Sequence, residues 1–155
     1  MVGVIGTSRS YHKKFKFLVE VDGFGDSAWE KCSGIEAEVA KVEQWQGGAL
    51  IPNKSPGRVT ISDVTLDRGC TDDEDCYNWF VQVVDVVANA GLVDDKYKRN
   101  VDVVQQDRDN KTLRRWRMTN AWPIKFKGGE WDNTSDENTM ESLTLTYDTP
   151  QSKAQ

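Results

Sequence analysis

Histidine is almost missing: His12 is the only one in 155 residues. Nucleophilic catalysis of the triad kind needs a histidine locked by a third group. His12 lies in a basic stretch near the start of the chain, which offers no lock. No Cys-x-x-Cys occurs among the three cysteines, Cys32, Cys70 and Cys76, and no histidine lies near them, so zinc is not expected. The acidic run Asp72, Asp73, Glu74 and Asp75 lacks the alternate spacing and central glycine of a calcium loop. Gly47-Gly48 and Gly128-Gly129 come without the lysine-serine or glycine pattern of a phosphate cradle. The chain therefore reads as a non-enzyme with no catalytic, cofactor-binding or metal-binding residue. Basic charge is in deficit, with 20 Lys and Arg against 25 Asp and Glu and a net charge of −5, which argues against a nucleic-acid clamp. No apolar run reaches the roughly 18 residues of a membrane span, so no membrane partner is expected. Arg9, Lys13, Lys14 and Lys16 follow the short apolar opening instead of preceding it, which is not the order of a secretion signal. Folding in a cytoplasm is expected, with the three cysteines as free thiols.

Six tryptophans are present, and rings of that size belong in cores or interfaces. Phe15, Phe17, Val19 and Val21 alternate with mostly polar neighbours, the period-two mark of a half-buried strand. Ala28–Cys32 and Glu36–Trp45 also read as extended. The second slips phase near Ala40, as a bulge causes. A stretch over Arg58–Asp67 slips between Ile61 and Val64, which predicts another bulge. A helix is predicted over Asp72–Ala90: Thr71 and Glu74 form a capping-box spacing, the acidic run suits the helix start, and Gly91 ends it. Its predicted core face is Cys76, Trp79, Phe80, Val83 and Val87. Val101–Val104, Leu113–Thr119, Trp122–Phe126 and Ser142–Tyr147 read as further strands, with a polar turn at Asp107–Lys111 and a long polar loop over Lys127–Met140. The expected fold is mainly β, an antiparallel sandwich or open barrel with one helix. The division is an arm over residues 1–14, a domain over 15–150, and a frayed polar tail over 151–155.

Gln44–Arg58, QWQGGALIPNKSPGR, reads as a loop. The Gly-Gly pair allows a sharp exit from the strand, Pro52 and Pro56 stiffen the segment, and Ala49, Leu50 and Ile51 supply apolar area for a partner. The other reading is a loop folded back on its own core.

VEVDGF near the start, CSGIEAEVAKVEQWQGG, the spaced prolines of Pro52–Gly57, VTLDRG, a helix with Trp79, NAWP at Asn120–Pro123 and ENTMESLTLTYD occur in an order that resembles the tail-tube proteins of contractile phages and related contractile injection systems. The resemblance covers about Phe15–Tyr147. It implies hexameric rings stacked into a hollow tube, each subunit adding strands to a continuous β-barrel that lines the lumen, with the helix outside. It implies that Trp45, Gly47, Gly48, Ala49, Leu50, Ile51, Pro52, Pro56 and Gly57 form a contact between rings. The implied partners are the chain itself, a sheath, a tape-measure protein, DNA or an effector in the lumen, a baseplate tube initiator and a tail terminator. The implied location is a virion tail or injection particle assembled in the host bacterial cytoplasm.

A hexameric ring at −5 per chain carries −30, and an acidic lumen repels phosphate within a Debye length of about 8 Å. Cys32 and Cys70 lie near chain turns, which makes them the candidate pair for a disulfide between subunits once the particle meets an oxidising medium. Two other functions fit the residues: a tube initiator or baseplate adaptor of the same fold, and a monomeric β-sandwich that stacks a ligand such as carbohydrate on Trp45, Trp122 and Trp131.

Overall fold

The computed structural model describes residues 16–24, 29–70, 74–88 and 95–154. The predicted arm (1–14), the Thr71 cap and Gly91 lie outside them. The elements in chain order are β1 (Phe17–Val21), β2 (Lys31–Cys32), β3 (Ala37–Gln44), β4 (Asn53–Ile61), β5 (Val64–Gly69), α1 (Asp75–Ala88), a 3-10 turn (Asp95–Tyr97), β6 (Arg99–Gln106), β7 (Thr112–Lys127), β8 (Met140–Thr146) and β9 (Pro150–Ala154). This is the mainly β, single-helix antiparallel fold that the alternation predicts.

β7 organises the body. Its first half pairs with β6 on one edge and β9 on the other, and its second half pairs with β8. Two four-stranded layers result, β1-β6-β7-β9 and β7-β8-β5-β2. Asn120, between the halves, takes a positive φ of 50°, a left-handed conformation that asparagine tolerates. Its side-chain amide donates to Asp148 Oδ2 at 2.9 Å. The sequence therefore reads as two strands where the chain makes one bent strand.

Strict alternation builds the core. In β5, Val64, Leu66 and Arg68 point inward, and in β8 Leu143, Leu145 and Glu141 do the same. The register sets Val64 opposite Leu145, Leu66 opposite Leu143 and Arg68 opposite Glu141. The last pair is a buried ion pair, and the Arg68 guanidinium lies 5.0 Å from the centre of the Trp29 ring. α1 closes the core with Cys76 and Trp79. Trp79 meets Phe24 edge-on at 5.4 Å, and its indole N–H donates to Tyr97 O at 2.6 Å.

Several expectations need correction. The loop predicted over Gln44–Arg58 is a loop only to Pro52, because β4 begins at Asn53 and carries Pro56 and Gly57 within it. Proline fits there because the hairpin is a two-stranded ribbon in which each strand has a free edge. The second predicted bulge is a break between strands: β4 ends at Ile61 and β5 starts at Val64 with a new partner. The tail predicted to fray is β9, paired with β7 from Met118–Pro150 to Arg114–Ala154. Val87 is 77% exposed, so the packed face of α1 stops short of it, while Phe80 stays half-buried and stacks on Phe126 at 6.4 Å.

Candidate assembly surfaces

β3 and β4 form a two-stranded sheet of their own. Its base is tied to the body by Ser62 N–H donating to Glu36 O at 2.9 Å and by Ile35 and Ile61, which pack against the core. Beyond that base the ribbon is bare: every residue of β3 is exposed. Val39 and Val59 face each other across the strands, and both are exposed. The predicted bulge is present. Register shifts between Val39 and Lys41, so that Ala40 opposes both Gly57 and Arg58. Glycine is needed at 57, since a Cβ there comes within 3.0 Å of Ala40 O and 3.1 Å of Val42 Cγ2. At the tip Gly48 takes φ +83°, and Ala49 N–H closes a turn onto Gln46 O at 3.0 Å. The turn presents Leu50 at 95% exposure and Ile51 at 78%, with Trp45 beside them at 64%. An isolated two-stranded hairpin is marginal in water, and exposed apolar area of this kind marks a binding surface.

The second surface is the β1-β6-β7-β9 layer. Among the described residues, β1 and β9 each pair on one side only, so both outer edges are open. Consecutive strands are antiparallel throughout. One face of the layer, through Val19, Val21, Val101 and Met118, packs into the core. The opposite face carries Glu20, Asp102, Arg115, Arg117 and Lys153, matched by register. Asp102 accepts from Arg115 Nη1 at 2.7 Å and from Arg117 Nε at 2.9 Å, and Arg115 also reaches Glu20 at 3.0 Å. Burial pushes the Asp102 carboxyl up, but the hydrogen bonds and charges of Arg117 and Arg115 outweigh it and hold it below the ordinary carboxylate range. Sequence reading missed this network. Its only signal was charge at alternate residues of β7, Arg115 and Arg117, with a lone Glu20 among the apolar residues of β1.

The cysteines are not alike. Cys76 is buried, Cys70 exposed and Cys32 half-buried. Burial pushes the Cys32 thiol up to about 11, and it donates to Ser33 O at 3.3 Å. Cys32 stands opposite Leu66, and Cys70 is four residues further on, about 13 Å along a strand. That exceeds the reach of a bond within one chain. Of the three tryptophans that suggested a stacking platform, Trp45 is on the hairpin, Trp131 is in the loop before β8, and Trp122 is half-buried edge-on to Tyr97 at 6.0 Å.

Residues 13–151 match the family of the T4-like virus tail tube protein gp19. The chain belongs to that family. As a member it is a structural component of a contractile tail tube, and the family is not one of enzymes. No curated protein matches the sequence. Among solved structures it is similar to the tube-terminating cap of the anti-feeding prophage, at 20% identity and a TM-score of 0.79, covering 96% of this chain and 94% of that one. It is similar to a chain in the extended sheath-tube complex of the extracellular contractile injection system PVC, at 20% identity and a TM-score of 0.77, covering 93% and 92%. A third likeness is to Hcp1 from Flavobacterium johnsoniae, at 16% identity and a TM-score of 0.58, covering 90% and 95%. At such identities the likeness is one of fold.

Proposed function

We propose that the chain is the repeating subunit of the inner tube, forming hexameric rings that stack through the β3–β4 hairpin. The observation that carries this reading is the β1-β6-β7-β9 layer with two open edges. β1 and β9 run in opposite directions. Copies related by rotation about an axis along the strands can therefore set β9 beside the next copy's β1 with every neighbour antiparallel. Closure removes both exposed edges. Six copies give about 24 strands, which at about 4.8 Å spacing makes a ring roughly 40 Å across between backbones. The core, α1 and the second layer all lie on one face of the sheet. Six such bodies fit only outside the ring, so the charged face lines the bore.

The hairpin suits the contact between rings. Trp45, Leu50 and Ile51 are apolar and free, Pro52 and the Gly47-Gly48 turn shape the tip, and Pro56 and Gly57 hold the bulge that sets its twist. A disulfide between copies would be reached more readily through exposed Cys70 than through half-buried Cys32, whose thiol burial pushes up to about 11, although burial and Glu141 raise the Cys70 thiol too. A sheath around the tube, a baseplate initiator, a terminator, and a tape-measure protein with DNA or effector inside are the partners this role carries, in a particle assembled in the bacterial cytoplasm. The PVC relative comes from a sheath-tube complex, and other relatives come from a baseplate and a terminator. The second role with support is therefore a tube initiator of the same fold.

Electron microscopy of the purified protein, with class averages down the tube axis, tests the reading. Stacked sixfold rings are expected, and monomers at every concentration would reject it. Copy number per purified particle separates repeating subunit from initiator.

A further inference from the structure

The acidity of the chain is not on the face that lines the bore in the proposed ring. Four acids sit in the exposed loop before β8, at Glu130, Asp132, Asp136 and Glu137. Glu74 and Asp75 stand at the start of α1. On the strands of the charged face there are three cations, Arg115, Arg117 and Lys153, against two carboxylates, Glu20 and Asp102. Asp22, just past β1, adds its negative charge at Arg117, so three carboxylates offset the three cations locally, against −5 for the chain as a whole.

How those charges are held matters more than their sum. The Asp102 side chain is 8% exposed, and it takes both guanidinium groups at once, with Arg117 bonding through Nε at 2.9 Å and Nη2 at 3.2 Å. Arg115 shares one nitrogen between Asp102 and Glu20. Such clamping fixes the planar forks in place and turns their donors toward the sheet, where a free arginine would offer them to a phosphate. Arg115, Arg117, Gln151, Ser152 and Lys153 border a shallow depression of about 420 Å³. Without the carboxylates this would be a ring of cations open to any polyanion.

We propose that Asp102, with Glu20, cancels the guanidinium charge of Arg115 and Arg117 on the bore-lining face, so that the wall passes a polyanion without holding it. The inference rests on the proposed placement of this face inside the tube. It replaces uniform acidity with local neutralisation as the source of low adhesion. Asp102 is then a specificity-determining residue: it sets which cargo chemistry sticks.

The test uses assembled tubes and a short fluorescein-labelled single-stranded oligonucleotide as probe. Wild-type tubes should retain little of it at low salt. Asp102→Asn tubes should bind it at least tenfold more tightly, with the gain lost at high salt because phosphate contacts release counterions. Glu20→Gln, at a half-exposed carboxylate, should give a smaller gain in the same direction and covers the case in which Asp102→Asn fails to assemble. Adding Arg117→Gln to Asp102→Asn should restore weak binding. Unchanged binding in Asp102→Asn, or in Glu20→Gln where only that variant assembles, would overturn the inference. A separate arm checks the placement. Lys153→Cys, on a background in which Cys32→Ser and Cys70→Ser remove the accessible native thiols, should react in assembled tubes with a small maleimide and resist one carried on a protein too large for the bore. Reaction with both would remove the face from the bore, and that failure is distinct from a lined bore whose binding does not change.

Discussion

β5 and β3 are both short runs of alternating residues, and their surroundings are opposites. In β5 every second residue is buried, whereas in β3 all eight residues are exposed. β5 has a strand on each side, β8 and β2, and a helix-closed core beneath it. Among the described residues β3 has one partner, β4, and no layer on either face. Val39, Val42 and Val59 are as apolar as Val64 and Leu66, yet only the latter two are covered. What differs is the cover, and for β3 the proposed cover is another copy of the chain.

The sharpest way to break this comparison is to damage the covered region. Trp79→Ala removes a ring that is 1% exposed and should cost about 3–5 kcal/mol in denaturant unfolding. Glu141→Gln removes the carboxylate charge that pairs with the buried Arg68 guanidinium and should cost about 3 kcal/mol in the same assay. If either change left the unfolding midpoint in place, the body would not be held by this core.

Damage to the bare region should do the reverse. Leu50→Asp or Ile51→Asp should shift subunit unfolding by less than about 0.5 kcal/mol. Each should weaken ring stacking by about 2–4 kcal/mol, the cost of a charge in a desolvated contact. Sedimentation shows this as loss of the fast tube boundary, and normal tubes from both variants would remove the tip from the contact.

Two smaller effects refine the boundary between the regions. The folded Asp102 carboxyl titrates below the ordinary 3.8. Its ion pairs therefore stabilise the fold fully above that pH, and the contribution is lost as pH falls through the lower, folded value. Asp102→Asn should flatten the acid end of the stability curve. Val87→Ala, at a position 77% exposed, should change stability by less than about 0.5 kcal/mol. A larger loss would extend the packed face of α1 to the end of the helix.

The contrast between regions also marks what the sequence disclosed. Alternation found β1, β6 and β8, because one face of each meets the core. The phase slip at Ala40 located the bulge, because a bulge moves side chains from one face to the other. Val87 misled because helical periodicity continues past the point where the body beneath α1 ends. β9 was unreadable because Gln151, Ser152 and Lys153 are polar, and the strand is held by backbone pairing to β7 instead of by an apolar face. β4 was masked by Pro56 and Gly57, residues that a ribbon with a free edge accepts and a central strand would not. The apolar tip of the hairpin was legible as exposed area, because Leu50 and Ile51 sit in a run of glycine and proline. The Asp102 network was not, since it depends on registers between β1, β6 and β7 that no local pattern encodes.

Amide hydrogen exchange on assembled tubes and on unstacked Leu50→Asp subunits tests the central claim most directly. The account predicts that amides of Val64–Gly69 are protected in both states, while those of Ala37–Gln44 and Asn53–Ile61 exchange fast in the unstacked subunit and slow markedly in the tube. Equal protection of the hairpin in both states would contradict it, because the ribbon would then be complete without a second copy.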